Sequence, residues 1–380
     1  LNRFAMYNNN ALENFEQAAQ YGAAYINNDA NADLLTAQDY AIYGNALKKV
    51  DRPAEYVALL EKAVVKGLAE DKGLYMPERI KPLSKDFFDN IQDMSLQEIA
   101  YQVADCFFGE DVDAENLRRI VYDTLAFDIP LKEVEDKIYS LELFHGPTLA
   151  FKDVGARFMA RLLQYFLRKE GKETVNVLVA TSGDTGSAVA NGFLGVEGIR
   201  VYVLYPKGKV SPIQECQFTT LGKNITAIEV DGVFDDCQAL VKNAFMDDEL
   251  NAKMRLTSAN SINVARFLPQ SFYYFYAYAQ LKKQGLADKV VCCVPSGNFG
   301  NICSALFGKR MGLPISRFIA ANNANDIFYN YLKTGKYEPK PSTQTIANAM
   351  DVGDPSNFAR ILNLYEKSHD AICKDISGAT

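Results

Sequence analysis

Beyond residue 142 the chain alternates short runs of β-branched and apolar residues with longer stretches in which apolar positions recur at helical spacing. The strand candidates are 175–180, 201–205, 225–230, 289–294 and 317–320. Helical patterns lie between them at 153–169, 186–194, 211–221, 235–254, 264–283 and 299–310. Near-continuous apolar strands separated by helices predict an α/β fold with parallel sheets covered on both faces. Ligands of such sheets bind at the carboxyl ends of the strands, so chemistry is expected in the loops that follow them. Upstream, residues 61–136 read as helical, with an isolated loop at 71–77. Within them 96–107 and 117–127 carry apolar residues at i, i+3/i+4, the pattern of amphipathic helices packed on a larger body.

The first 60 residues are rich in Asn and Ala and have helical periodicity without a strand signal. Ala11, Phe15 and Ala18 keep the A-x3-F-x2-A spacing with which one helix of a hairpin nests small residues on its neighbour. Tyr40, Tyr43, Gly44 and Leu47 fall where the opening helix of a next unit is expected. The segment resembles one and a half tetratricopeptide repeats, fewer than the three that normally bury their own faces. A plain helical extension is the other reading, and residues 1–60 are the place for a protein partner. The expected division is 1–60 helical extension, 61–140 helical N-terminal region and 141–380 α/β catalytic region.

Composition narrows the function classes. A hydrophobic content of 48% over 380 residues suits a large buried core and excludes disordered, collagenous and small disulfide-stapled chains. Forty Lys and Arg against 47 Asp and Glu give a net charge of −7 with no long basic run, which speaks against nucleic-acid and anionic-membrane surfaces. An anionic substrate then needs a locally positive site. No run approaches the ~18 apolar residues of a membrane span, and the first residues lack a signal pattern, so a cytoplasmic protein is expected. The seven cysteines form no C-x-x-C pair, and only His145 and His369 could assist them, so neither zinc nor structural disulfides are expected. Cys292 and Cys293, inside the apolar run 290–294, are expected to be buried.

Two loops after predicted strands have nearly the same form. Ser182, Gly183, Asp184, Thr185 and Gly186 follow the strand ending at Ala180; Ser296, Gly297, Asn298, Phe299 and Gly300 follow the one ending at Val294. Each opens a helix, so each is either a tight capped turn or an anion cradle of backbone N–H groups. The Asp184 carboxylate would repel a phosphate, whereas residues 296–301 carry only neutral donors and make the better phosphate site. Neither loop has dinucleotide-fingerprint or P-loop spacing. Lys152 lies among Leu149, Ala150, Phe151 and Val154. It is either a first-turn surface lysine or a partly desolvated amine suited to Schiff-base chemistry. His145 alone reads as a turn or capping residue.

Several of these segments together resemble one family. His145 to Asp153, Ser182 to Gly186, the run Ser258-Ala259-Asn260-Ser261-Ile262-Asn263 and Pro295 to Gly300 are similar to threonine synthases of the bacterial and fungal branch, within the tryptophan-synthase-β-like, fold-type II pyridoxal-phosphate enzymes. Glu70 to Pro77 and Asn348-Ala349-Met350-Asp351-Val352 also resemble that family, and the similarity runs in order from about residue 63 to 357. The resemblance implies two parallel or mixed sheet domains with helices on both faces. It implies that Lys152 bonds to pyridoxal 5'-phosphate as a Schiff base and that Gly297, Asn298, Phe299, Gly300 and Asn301 cradle the cofactor phosphate. It implies too that Ser182, Thr185 and backbone N–H groups of the loop Ser182, Gly183, Asp184, Thr185, Gly186 hold the substrate carboxylate. The substrate phosphate is assigned to Asn260, Ser261, Asn263 and Arg266, with Lys209 as a further candidate. The implied reaction is O-phosphohomoserine and water to L-threonine and phosphate, with no metal.

The chain departs from the family in two ways. Helices occupy residues 1–60 where the family has a short strand, as in a fusion joined near Leu60. The family's closing segment, with a Thr-Ala-His-Pro stretch along the cofactor ring, has no counterpart before Thr380, so an exposed sheet edge and lowered stability are expected. A serine/threonine dehydratase or cysteine synthase of the same fold is the near alternative. A non-catalytic helical-repeat interaction protein carrying a defective enzyme remnant is the distant one.

Overall fold

The computed structural model describes residues 79–171 and 174–380, and before them 2–12, 14–28, 30, 31, 35, 36, 38–40, 42, 43, 46, 64, 65 and 74–77. β1 (Leu131–Glu135) and β2 (Ile138–Leu141) form an antiparallel hairpin turned at Lys137, whose φ is +61°. β3 (Val175–Ala180), β4 (Ile199–Pro206), β5 (Ile225–Val230) and β6 (Arg255–Ser258) form a parallel sheet in the order β5-β4-β3-β6. β7 (Val290–Pro295), β8 (Ile315–Ala321) and β9 (Ile376–Ala379) form a second parallel sheet in that order.

Strand position explains strand composition. β3 has a partner on each side and all six of its residues are buried, so it is apolar almost throughout. β5 pairs only with β4, and of its six residues only Ile225 is buried. The helix Asp153–Glu170 packs Phe158, Met159, Leu162, Leu163 and Phe166 at zero exposure, each worth roughly 1.5–3 kcal/mol of burial. It ends at Gly171 in the left-handed conformation, φ +62°. The helix Phe234–Met246 covers the other side of the first sheet, with Cys237 and Val241 packed on Leu178, Ala180, Leu204 and Leu256.

Several expectations are corrected. The helical reading of 61–136 gives way at β1, where Lys132, Glu133 and Glu135 obscure the strand period of an exposed hairpin. β6 and β9 are additional strands, hidden in the sequence because Thr257 and Ser258 in one and Ser377 and Gly378 in the other dilute the apolar signal. The expected helix 235–254 breaks at Asp247, which turns extended and caps Leu250 N–H at 2.9 Å, giving Phe234–Met246 and Asp248–Lys253. The expected helix 264–283 is interrupted by a 3-10 turn, Leu268–Gln270, around Pro269.

Ala11, Phe15 and Ala18 do not share a helix: Asn2–Ala11 ends where a turn begins, and Phe15–Ile26 follows it. The two helices do form a hairpin, in which Met6 and Tyr43 approach Gly22 so closely that a Cβ there would lie 2.3 Å from Tyr43 Cδ2. Gly44, Leu47 and the junction near residue 60 lie outside the described residues. Cys293 is exposed and Cys292 only partly buried, because β7 is an edge strand whose Val291 and Cys293 face is not covered by any helix among the described residues. All seven cysteines are free.

Candidate active site

The carboxyl ends of β3, β6 and β7 open on one cavity of about 350 Å³, within the range of small-ligand sites. Lys152, Ser182, Thr185, Asn260, Ser261, Arg266 and all five residues from Gly297 to Asn301 line it. Two sheets thus bring together loops more than 100 residues apart in sequence.

Lys152 stands at the N-cap of the helix Asp153–Glu170 and is fixed by its neighbours. Asp153 accepts from Thr148 N–H at 3.0 Å and Thr148 Oγ1–H at 2.6 Å, closing the turn that carries Gly146, where a Cβ would meet Asp153 Oδ2 at 2.4 Å. Burial pushes the Asp153 carboxyl up, against the pull of the two Thr148 donors. Lys152 Nζ then reaches Asp184 Oδ2 at 2.9 Å and Thr185 Oγ1 at 2.8 Å, and it is 16% exposed. His145 is not in the cavity; it is exposed and bonded to Glu142 Oε2 at 2.8 Å.

The loop 182–186 uses much of its own polarity internally. Thr181 Oγ1 accepts from Gly183 N–H at 2.9 Å and Gly186 N–H at 2.8 Å, and Asp184 Oδ1 accepts from Thr185 N–H at 2.9 Å. Three of the N–H groups expected to hold a substrate carboxylate are therefore engaged, leaving the Ser182 and Thr185 hydroxyls facing the cavity.

The loop 296–301 is different. Among the described residues no acceptor takes the backbone N–H of Gly297, Asn298, Phe299, Gly300 or Asn301. Phe299 holds φ +61°, a left-handed conformation that costs a side chain energy, and its ring is buried 4.7 Å from that of Phe328. Asn298 ties the loop to its surroundings, donating to Ser261 Oγ at 2.7 Å and accepting from Ser356 N–H at 2.7 Å. A Cβ on Gly297 would lie 2.8 Å from Met350 Cα, so the strap 340–354 crosses directly over it. Five N–H groups at a helix N-terminus, without an acceptor among the described residues, are suited to an anion.

Arg266 is 1% exposed; its Nη1 donates to Ala259 O, while its buried Nε has no partner among the described residues. Burial pulls its guanidinium down to about 10, against the pull of Asp184 and Asp153. A buried cation with an unused donor is suited to a ligand anion. Asn263 is corrected: it is fully buried, caps Ala265 N–H at 3.0 Å and donates to Val64 O at 2.8 Å, so its side chain does not reach the cavity. Lys209 is exposed and does not line the cavity either.

Sequence reasoning missed Phe234, Gln238 and Lys242, which line the cavity from the helix Phe234–Met246, and the strap residues Lys340 and Ser342. The i, i+4, i+8 spacing of the first three is readable in the sequence, but not the face to which it turns. The run Asn348 to Val352 carries a family resemblance but no role in the sequence reading; in the structure Asn348 Nδ2 donates to Ser182 O at 3.4 Å, and Asp351 is held by Thr345, Asn323 and Asn325.

Comparison with known proteins agrees with this geometry. A family profile described as pyridoxal-phosphate dependent enzyme matches residues 123–374, and one described as threonine synthase N terminus matches 52–125. The threonine synthase of Haemophilus influenzae is 47% identical over 322 residues, 85% of this chain and 74% of the relative. The crystal structure of threonine synthase from Escherichia coli superposes with a TM-score of 0.78 at 42% identity, covering 84% of this chain and 74% of that one. A pyridoxal-phosphate-bound threonine synthase from Brucella melitensis gives the same TM-score at 36% identity, covering 84% and 75%. With Lys152 and an anion cradle in one cavity, and relatives this similar over most of the chain, the chain belongs to the threonine synthase family of pyridoxal-phosphate-dependent lyases.

Proposed function

We propose that the substrate is O-phosphohomoserine, converted with water to L-threonine and phosphate, and that the work is divided among the cavity residues. The observation that carries this reading is the shared cavity of Lys152 and the N–H groups of Gly297 to Asn301, which have no acceptor among the described residues. Those residues fit pyridoxal phosphate: the N–H groups suit its phosphate, and Gly297, whose Cβ would lie 2.8 Å from Met350 Cα, lets the strap 340–354 pack closely over the loop. When bound, the cofactor supplies a carbonyl carbon for attachment and an electron sink for a carbanion.

Lys152 would hold pyridoxal phosphate in place of its bonds to Asp184 and Thr185, and its amine would serve as the base for the proton at the substrate Cα. The substrate then loses a β-proton and its phosphate from Cγ; Cγ takes up a proton to become the methyl group, water adds its hydroxyl at Cβ, and Cα regains a proton. One lysine serving as base and then acid suffices, consistent with a chain whose only histidines are His145 and His369. The Ser182 and Thr185 hydroxyls orient the substrate carboxylate. Asn260, Ser261 and Arg266 hold the leaving phosphate, with the buried Arg266 Nε, which has no partner among the described residues, as one donor.

The test is phosphate release from O-phosphohomoserine by the chain loaded with pyridoxal phosphate. Stoichiometric phosphate and threonine are expected; a 2-oxo acid and ammonia from serine or threonine, without phosphate release, would instead mark a dehydratase. We assign residues 1–60, 61–140 and 141–380 as separate structural regions, with 1–60 the candidate surface for a protein partner and the cytoplasm the expected location. Among the described residues no helix is long and apolar enough to cross a membrane.

A further inference from the structure

The cationic side chains that line the cavity are not equivalent. Lys152 is bonded to Asp184 and Thr185, Lys340 to Asp326 at 2.5 Å, and Arg266 to Ala259 O. Lys242 has no hydrogen bond, ion pair or ring contact among the described residues, and it is exposed at the rim. Its position follows from the helix that carries it. Cys237 and Val241 fasten the helix Phe234–Met246 to the first sheet, so Phe234, Gln238 and Lys242, at i, i+4 and i+8, share the face turned to the cavity. Gln238 is one turn nearer the helix start and partly buried, an amide donor between the rim lysine and the interior.

We propose that Lys242, with Gln238 behind it, is a specificity-determining residue that receives the phosphate of the substrate and passes it toward Arg266. The inference rests on the phosphorylated substrate proposed above. A chain of net charge −7 repels a dianion at long range, so capture needs a positive group at the entrance whose charge is not already neutralised. Lysine suits this role, because its compact ammonium on a flexible stem can follow a moving phosphate, and Lys242 need not break an existing ion pair to do so. Phosphate that leaves from Cγ would exit past the same group.

The test uses the full chain loaded with pyridoxal phosphate, so that the cradle of Gly297 to Asn301 is filled. Substitution Lys242→Gln should raise KM for O-phosphohomoserine about tenfold, lower kcat by less than that factor and flatten the dependence of kcat/KM on ionic strength. Inorganic phosphate, titrated by calorimetry, should bind the variant more weakly by a similar factor, and Lys242→Arg should restore most of both effects. Unchanged phosphate affinity, KM and salt slope in an enzyme that releases phosphate would overturn the inference alone. A wild-type chain that releases no phosphate would overturn the substrate reading, and the calorimetric comparison would still decide the role of Lys242.

Discussion

Lys152 Nζ and Asp184 Oδ2 are 2.9 Å apart across two loops, one opening the helix Asp153–Glu170 and the other opening Asp184–Phe193. The carboxylate therefore holds the amine at the cavity wall. Attachment of the cofactor removes that ammonium, so the pair should matter to one form more than the other. Asp184→Asn is expected to destabilise the cofactor-free chain by about 1–2 kcal/mol and the loaded chain by clearly less, since the lost bond is to a charged group. Melting curves of both forms check this. Equal losses in the two forms would mean that the pair serves only the fold.

Gly297→Ala should act through the strap. The added methyl would come within 2.8 Å of Met350 Cα and 3.1 Å of Met350 O, backbone atoms that cannot turn aside as a side-chain tip would. A stability loss of about 1–3 kcal/mol is expected from overpacking, together with at least tenfold weaker pyridoxal phosphate binding by absorbance titration. Wild-type affinity in this variant would show that 340–354 does not press on the cradle.

Arg360 is a buried link between the elements around the cavity. It is 1% exposed, donates to Tyr75 O at 3.1 Å and Ile262 O at 2.5 Å, bonds Asn357, and stacks over Phe267 at 4.1 Å. Arg360→Met keeps much of the volume but orphans those carbonyls, so a loss of about 3 kcal/mol or more is expected by urea unfolding. A change under about 1 kcal/mol would contradict this reading.

The exposed face of β7 has a chemical signature. Cys216 and Cys293 are exposed, whereas burial pushes the Cys303 and Cys292 thiols up to about 12 and the Cys237 thiol up to about 11. An aromatic disulfide reagent at neutral pH should titrate Cys216 and Cys293 first, with Cys237, Cys292 and Cys303 reacting only after denaturation. Protection of Cys293 in the native chain would mean that something covers β7.

The legible parts of the fold are those whose burial is uniform along the segment. β3 reads as a continuous apolar run because neighbours bury it throughout, and the helix Asp153–Glu170 has a clear period because one face is packed. β6 and β9 are not legible, because Thr257, Ser258, Ser377 and Gly378 are set by pairing with distant strands rather than by local preference. Cys293 fails for the same reason: its run is apolar, but whether a helix covers it depends on tertiary packing.

The site divides in a similar way. Two glycine-bearing loops after strands can be found from spacing, and the Asp184 carboxylate sets the loop 182–186 apart from the cradle. The Asn263 cap could have been suspected, since an Asn just before a helix more often satisfies an N–H than a ligand. Lys242 could not, because nothing local says which face of the helix Phe234–Met246 meets a cavity built from loops distant in the sequence.

Lys152 is proposed to carry the chemistry, and the measurement that tests this most directly is the visible absorbance of Lys152→Ala and wild type, each with pyridoxal phosphate, followed through addition of O-phosphohomoserine. Wild type should show a protein-dependent band that shifts on substrate addition and is accompanied by phosphate release, and the variant should show neither the band nor turnover. A wild-type band and phosphate release that persist in Lys152→Ala would contradict the assignment.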